Sequence, residues 1–186
     1  MPGHPILGGK AMVKKILLVL LLVIVGVLGY AATKPDTFRV ERKAVIPAPP
    51  EQVYALIEDF HRWGEWSPWE KLDPAMARTH GGPGKGLGAT YAWKGNSDVG
   101  EGRMEITEAT PPARIVIKLD FIDPFESSNV TVFSLVPKDG GTEVTWSMDG
   151  PMPYVSKLMD TVVGMDRMIG KDFEQGLANM KDAAAG

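Results

Sequence analysis

The chain has 186 residues, a formal net charge of −3 and no cysteine. The acidic balance gives no basic surface of the kind that binds nucleic acid, and the missing cysteines exclude disulfides, a thiol nucleophile and a thiolate metal site. The three histidines, His4, His61 and His80, show no metal-ligand spacing, so we expect neither a metal nor a cofactor. The oligomeric state is left open by these counts.

The first part of the chain is predicted to be a membrane anchor. Residues 1–13 are rich in glycine and proline and are predicted to be disordered. Residues 14–33 begin with Lys14 and Lys15 and continue as an uncharged run of mainly Leu, Val and Ile. At about 1.5 Å per residue, the run Ile16–Ala32 is about 25 Å long, slightly short of a hydrocarbon core of about 30 Å.

Two alternatives to an uncleaved anchor remain open. The first is a cleaved signal peptide, for which Gly29-Tyr30-Ala31 is a poor cleavage site. The second is a buried core helix, but nothing polar marks a second face. The length of the run and an interfacial Tyr30 favour the anchor. Because lysines precede the run closely, we expect a single-pass membrane protein with a cytoplasmic N-terminus and an extracytoplasmic domain.

A single domain is predicted over residues 38–183, after a linker at residues 34–37. Phe38–Ile46 alternates like a strand, and Glu51–Phe60 places its apolar residues on one helical face. The aromatic segment His61–Asp73 follows. The glycine-rich loop Gly81–Gly88 lacks the Lys-Ser/Thr ending of a phosphate-binding loop.

The middle of the domain predicts an antiparallel meander. The expected strands are Ala89–Lys94, Glu101–Glu108, Arg114–Phe121, Val130–Pro137 and Thr142–Met148. Asp139-Gly140-Gly141 is a strong turn signal and makes the last two strands a hairpin. Strands without intervening helices indicate antiparallel pairing.

The last stretch, Pro153–Ala183, predicts one amphipathic helix laid across the sheet. Its apolar face is formed by Val155, Leu158, Met159, Val162, Ile169, Phe173, Leu177 and Met180. Three glycines, Gly164, Gly170 and Gly176, follow one another at six-residue steps and therefore point in three directions. We expect them to mark a kink or a split near Gly170, and not a close-packing groove. Asp166 lies among the apolar positions, where a carboxylate is paired, faces a cavity or is tolerated by a kink.

The segment VERKAVIPAPPEQVYALIEDFHRWGEWSPWEKLDP, residues 40–74, resembles the START-like, or SRPBCC, superfamily of the polyketide cyclase/dehydrase and lipid-transport type. The matching positions are Ile46, Ala48, Pro49, Val53, Tyr54, Ile57, Asp59, Trp63, Trp66, Ser67, Pro68 and Trp69. The ending GKDFEQGLANMK is similar as well, and the resemblance covers residues 38–181. It implies an α+β helix-grip fold, in which a curved antiparallel sheet wraps around a long C-terminal helix. It also implies a cavity between them for an apolar molecule, and the anchor is an addition that many members lack.

The cavity wall implied by this resemblance draws on aromatic and aliphatic positions along the chain. The candidates are Trp63, Trp66, Trp69, Tyr91, Trp93, Met104, Ile117, Phe121, Phe133, Trp146, Met148, Val162, Met165, Asp166 and Ile169. The first three recur every three residues and would share one side of a helix or 3₁₀ turn. They either plug one end of the core or line the cavity mouth.

An enzyme would need a positioned acid or base in this cavity. Asp166 is the first candidate, followed by His61, Tyr91 and Glu70, and spacing brings no pair of them together. Glu70 and Asp73 have a second interpretation, as solvated residues or as partners of Lys71 and Arg78.

The sequence therefore favours a membrane-tethered domain that binds a hydrophobic small molecule or lipid. The first alternative is a polyketide cyclase/dehydrase-like enzyme acting on an apolar substrate, with Asp166 or His61 as acid or base. The second is a protein-interaction module with a sealed core. The expected partners are the apolar ligand and, through the N-terminal helix, the membrane.

Overall fold

The computed structural model describes residues 8–186, and its contacts divide them into two compact units. The first unit holds residues 8–36 together with Met152–Gly164. The second unit holds Thr37–Pro151 and Met165–Gly186. Each unit is described by itself below.

The first unit consists of two helices, α1 (Gly8–Ala32) and α4 (Tyr154–Val162). The stretch Lys10–Ala32 of α1 is long and apolar enough to cross a membrane, which makes it a candidate membrane span or signal sequence. Because α1 begins at Gly8, residues 8–13 are helical, although the sequence predicted disorder there. Residues 1–7 of that prediction lie outside the described residues.

The second unit is built on a seven-stranded antiparallel sheet with the order β1-β7-β6-β5-β4-β3-β2. Its strands are β1 (Thr37–Ile46), β2 (Ala77–Gly81), β3 (Thr90–Lys94), β4 (Glu101–Thr110), β5 (Arg114–Asp123), β6 (Ser127–Lys138) and β7 (Gly141–Pro151). The predicted meander is confirmed, but sequence reasoning missed β2. That strand has no apolar alternation, and all five of its residues are exposed, so it carries no periodic signal.

Three helices complete the second unit: α2 (Pro50–Ile57), α3 (Trp63–Trp66) and α5 (Met165–Ala183), with 3₁₀ turns at Phe60–Arg62 and Pro68–Lys71. Pro50 opens α2, where its missing N–H costs nothing. The buried face of α5 is formed by Gly170, Phe173, Gly176, Leu177 and Met180. The sheet, with the C-terminal helix against it, confirms the α+β helix-grip fold.

The predicted single C-terminal helix is in fact two helices. The break lies at Val163 and Gly164, six residues before the expected position at Gly170. Gly164 has a φ of +80°, a backbone conformation that residues other than glycine rarely adopt. A left-handed glycine directly after a helix is a common helix ending, and it explains where α4 stops.

The other two glycines do not interrupt α5, which corrects the expectation that they mark a kink. Gly170 and Gly176 are both buried. A Cβ atom on Gly176 would lie 2.7 Å from Cζ3 of Trp146, and one on Gly170 would overlap the guanidinium of Arg42. A curved sheet touches more than one side of a helix, so glycines about 120° apart can both allow close approach.

The prediction that the first half of this stretch buries its apolar face is wrong. Val155, Met159 and Val162 of α4 are exposed, at 58%, 48% and 77% of their full areas. The break at Gly164 ends the helical periodicity that would have placed these side chains in line with Phe173 and Leu177.

Candidate functional site

A cluster of aromatic rings fills the space between the sheet and the helices α3 and α5. The ring of Trp146 on β7 stacks on Phe173 of α5, with 4.1 Å between the ring centroids. Trp66 meets both Trp146 and Phe133 edge-on, at 5.5 Å and 6.0 Å. Since offset and edge-to-face contacts are the favourable arrangements of aromatic rings, this cluster joins α3, α5 and the sheet.

Two of the three tryptophans in the aromatic segment pack as core residues. Trp63 and Trp66 are buried, and their indole N–H groups donate to the carbonyls of Ile57 and Leu56 at 3.1 Å and 2.9 Å. These bonds fasten α3 to the end of α2 and satisfy both indoles. Trp69 is only half-buried and rests on the rings of Trp146 and Phe173.

A second region of the inner sheet face is less completely covered. The strand register places Trp93, Gly102 and Phe121 in one row across the sheet, and Met104 and Leu119 in the next. Trp93 and Phe121 meet edge-on at 5.9 Å. Three of these side chains, Trp93, Leu119 and Phe121, are half-buried. We call Trp93, Met104, Leu119, Phe121 and the adjoining Asn129 the inner-face patch.

Asn129 is the polar member of the inner-face patch. It pairs with Leu119 across β5 and β6 and is 3% exposed. Its Nδ2 donates to Ser127 Oγ at 3.2 Å, whereas its Oδ1 has no hydrogen-bond partner among the described residues. Leaving a buried acceptor unpaired costs about 1–3 kcal/mol. The Oδ1 is packed against Gly150, where an added Cβ atom would overlap it.

Trp146 has a buried hydrogen-bond donor that is likewise unpaired in the described part of the chain. Its indole Nε1 is buried and finds no partner within residues 8–186. Among the described residues, the inner face of the sheet therefore carries an unpaired acceptor on β6, Asn129 Oδ1, and an unpaired donor on β7, Trp146 Nε1.

Tyr91 and Glu70, both candidate acid/base residues, lie in direct contact. The hydroxyl of Tyr91 donates to Oε1 of Glu70 at 2.5 Å, and Arg78 Nε pairs with Oε2 of the same carboxylate at 2.7 Å. Burial of the phenol, followed by the hydrogen bond to Glu70, raises the pKa of Tyr91. The pairing of Glu70 with Arg78 was one of the two expected alternatives, whereas Asp73 accepts from the backbone N–H groups of Ala75 and Asn96.

His61 joins this group through His80, which the sequence did not single out. The two imidazoles stack with 4.1 Å between ring centroids, and His80 lies 5.1 Å from the ring of Tyr91. Asp59 Oδ1 is 2.9 Å from His61 Nδ1. His80 lies on β2, the strand without a sequence signal, so nothing in the sequence could place it here.

Stability is expected to fall on acidification through His80. Desolvation of the imidazole by the adjoining rings, together with the charge of the neighbouring His61, lowers the pKa of His80. The unfolded chain, with a histidine pKa of about 6.5, therefore takes up this proton before the folded chain does. The free energy of unfolding should decrease as the pH falls below about 6.5, and urea unfolding of His80→Asn should show a shallower decrease. An equal slope in both proteins would contradict this assignment.

Asp166 lies apart from this group and is paired, which was one of its expected alternatives. Its Oδ1 is 3.0 Å from Arg42 Nη1, and Arg42 Nε binds Glu174 at 2.7 Å. The Asp166 side chain is 67% exposed. These two carboxylates raise the pKa of Arg42. The arrangement ties β1 to α5.

The structure distributes the predicted cavity residues over several places. Trp63, Trp66, Phe133 and Trp146 belong to the ring cluster, and Ile117 and Met148 are buried on the inner face. Met165 and Ile169 of α5 are half-buried. Val162 lies in the first unit. Only Trp93, Met104 and Phe121 of the predicted set share the inner-face patch.

A groove of about 370 Å³ opens on the outer face of the sheet, across β2 to β5. Its lining includes Arg103, Glu105, Lys118 and Asp120, whose charges alternate. Asp120 pairs with Arg103 and Lys118, each at 3.1 Å. Exposed pairs of this kind are ordinary surface chemistry.

A family model described as polyketide cyclase/dehydrase and lipid transport matches residues 37–185. The chain belongs to this family. The match covers the second unit except Gly186 and also includes Met152–Gly164 of the first unit. The expected SRPBCC resemblance is confirmed.

Solved structures share the fold of this family member at low sequence identity. Protein CV1439 from Chromobacterium violaceum is 18% identical with a TM-score of 0.58, covering 82% of this chain and 99% of its own. A protein from Nitrosospira multiformis is 22% identical with a TM-score of 0.57, covering 78% and 94%. The Aha1 dimer from Colwellia psychrerythraea is 15% identical with a TM-score of 0.56, covering 79% and 96%. No curated protein matches the chain.

Proposed function

We propose that this family member binds an apolar small molecule or lipid at the inner-face patch and holds it close to a membrane through α1. The observation that carries the proposal is the group of half-buried apolar side chains Trp93, Leu119 and Phe121 on the inner sheet face, beside the buried polar Asn129. A few placed polar groups in an apolar lining are typical of small-molecule sites. The lipid-transport part of the family description supports the same ligand class.

The patch suits a ligand with an apolar body. The rings of Trp93 and Phe121 and the side chain of Leu119 supply apolar area, which stabilises a ligand by about 25 cal/mol per Å² removed from water.

α1 would supply the tether. We propose that it spans the membrane uncleaved, with a cytoplasmic N-terminus and an extracytoplasmic second unit. Confinement near the bilayer raises the effective concentration of any ligand that partitions into lipid. The mechanism would be sequestration from the membrane, without a chemical step.

Binding can be tested with neighbouring residues on opposite faces of β5. Full-length protein in detergent would be titrated with an apolar fluorescent probe. Phe121→Ala should weaken binding roughly tenfold or more, because the ligand loses a phenyl contact worth about 1.5–3 kcal/mol. Ile122→Ala is the matched control, since Ile122 is 44% exposed and should leave the affinity unchanged.

Native mass spectrometry with organic extraction of the same proteins would identify the ligand class. A stoichiometric apolar adduct that Phe121→Ala loses and Ile122→Ala keeps would support the proposal. A clean apo mass with no probe uptake would contradict it and favour an interaction module with a sealed core.

An enzyme of the cyclase or dehydrase type is the second candidate, and the meeting of Tyr91, Glu70, His61 and His80 favours it. A phenol bonded to a carboxylate, beside two imidazoles, contains groups that can donate and accept protons. Tyr91→Phe keeps the ring and removes the proton. Turnover of an apolar polyketide would therefore be abolished in this variant at unchanged ligand affinity, and unchanged turnover would exclude Tyr91 as the acid.

A further inference from the structure

Helix α4 has its polar side chains turned toward its own unit. Lys157 is 7% exposed, and its Nζ binds Asp36 Oδ1 at 2.6 Å. Asp160 binds Lys34 Nζ at 2.5 Å, and Thr161 Oγ1 donates to the carbonyl of Lys157 at 2.7 Å. The two charged residues of α4, Lys157 and Asp160, therefore form ion pairs with the linker that follows α1.

Most apolar side chains of α4 are exposed, and Leu158 is half-buried. Val155, Met159 and Val162 follow the i, i+4, i+7 spacing of one helical face and are exposed. Val163 and Tyr154 extend the exposed apolar area at the two ends of the helix. A surface helix of a soluble domain shows the reverse arrangement, with the charges in water and the apolar stripe inside. Exposed apolar patches mark a surface that contacts a partner or a membrane.

Polar bonds fasten α4 to the end of α1. The Tyr154 hydroxyl donates to the carbonyl of Leu28, four residues before α1 ends, at 2.9 Å. Lys34, which binds Asp160, lies two residues beyond α1 with its Nζ 5.5 Å from the ring centroid of Tyr30. Tyrosine and lysine at the end of an apolar helix are typical of the membrane–water boundary.

We propose that α4 is an interfacial helix whose face Val155–Met159–Val162 inserts into the headgroup boundary of the bilayer that α1 spans. This inference rests on the proposed tether, since α1 must stay attached and embedded. The occupant is lipid because the exposed face begins where an apolar helix long enough to span a membrane ends. The bonds to Leu28 and Lys34 hold α4 at that depth. Amphipathic helices of this kind lie in the plane of the interface with their apolar side in the acyl boundary.

The absence of cysteine makes the depth of each residue measurable. Full-length protein carrying a single substitution, Val162→Cys, would be labelled with a polarity-sensitive dye and reconstituted into vesicles of neutral and anionic phospholipid. The label should show blue-shifted emission and lose most of its intensity to a shallow lipid-attached quencher. Val136→Cys on β6 is the matched control, being an equally large apolar residue that is 55% exposed, and it should respond only to an aqueous quencher.

A third label separates this inference from the tether on which it rests. Leu20→Cys, in the middle of α1, should be quenched by a deep lipid-attached quencher. Quenching at Leu20 without quenching at Val162 would overturn the interfacial helix and keep the anchor. Absence of quenching at both positions would overturn both. A protein partner on α4 would leave the Val162 label shielded from aqueous and lipid quenchers alike, which also contradicts the proposal.

Discussion

Replacing Trp66 by alanine is expected to lower the free energy of unfolding by about 3–5 kcal/mol. Trp66 is fully buried and contacts the rings of Trp63, Phe133 and Trp146. Its removal would leave a cavity where α3 meets the sheet and would free the buried carbonyl of Leu56. Urea unfolding of the full chain in detergent, followed by far-ultraviolet circular dichroism, measures the loss.

Trp69→Ala is the matched control for this loss. The same atoms are removed, but Trp69 is only half-buried. We expect a clearly smaller decrease, because less apolar area returns to water. Equal losses in the two variants would show that Trp66 does not hold α3 against the sheet.

Gly176→Ala is expected to destabilise the protein by about 1–3 kcal/mol, although alanine is the better helix former by about 1 kcal/mol. The new methyl group would meet the indole of Trp146 at 2.7 Å. That ring is stacked on Phe173 and packed against Trp66, so it cannot move away without disturbing the cluster. The overlap therefore outweighs the gain in helix propensity.

Gly170→Ala tests the same reasoning with a movable neighbour. The atoms met there are the end of the flexible Arg42 side chain, which can shift at the expense of its contacts with Asp166 and Glu174. Half-exposed pairs of this kind contribute about 0–1 kcal/mol, so we expect a change near zero. Urea unfolding of both variants gives the comparison, and a larger loss at Gly170 than at Gly176 would contradict it.

The meander was predictable because a strand with one buried face alternates with a period of two. β4 and β5 show this clearly, with Met104, Ile106, Ile115 and Ile117 buried between more exposed neighbours. β2 pairs with β3 but has no alternating buried side chains, since all five of its residues are exposed, so the same reasoning could not find it.

The acid/base candidates illustrate a second limit. Sequence reasoning named Glu70 and Tyr91 but could not join them, because they are 21 positions apart and meet only when β3 and the 3₁₀ turn at Pro68–Lys71 fold together. Asn129 was missed because the predicted strand began one residue later. Asparagine is rare in strands and carries no sign of which face it occupies.

The N-terminal apolar helix, the alternating strands and the absence of cysteine follow from the sequence by itself, since each depends on residue type and local period. The tertiary structure decided where the C-terminal stretch breaks, which side of α4 is exposed, and that the glycines of α5 approach the sheet. A hydrophobic pattern shows that one face of an element is apolar, but burial depends on the second surface that covers it. The stripe read as one continuous face over Pro153–Ala183 thus became a buried face on α5 and an exposed one on α4.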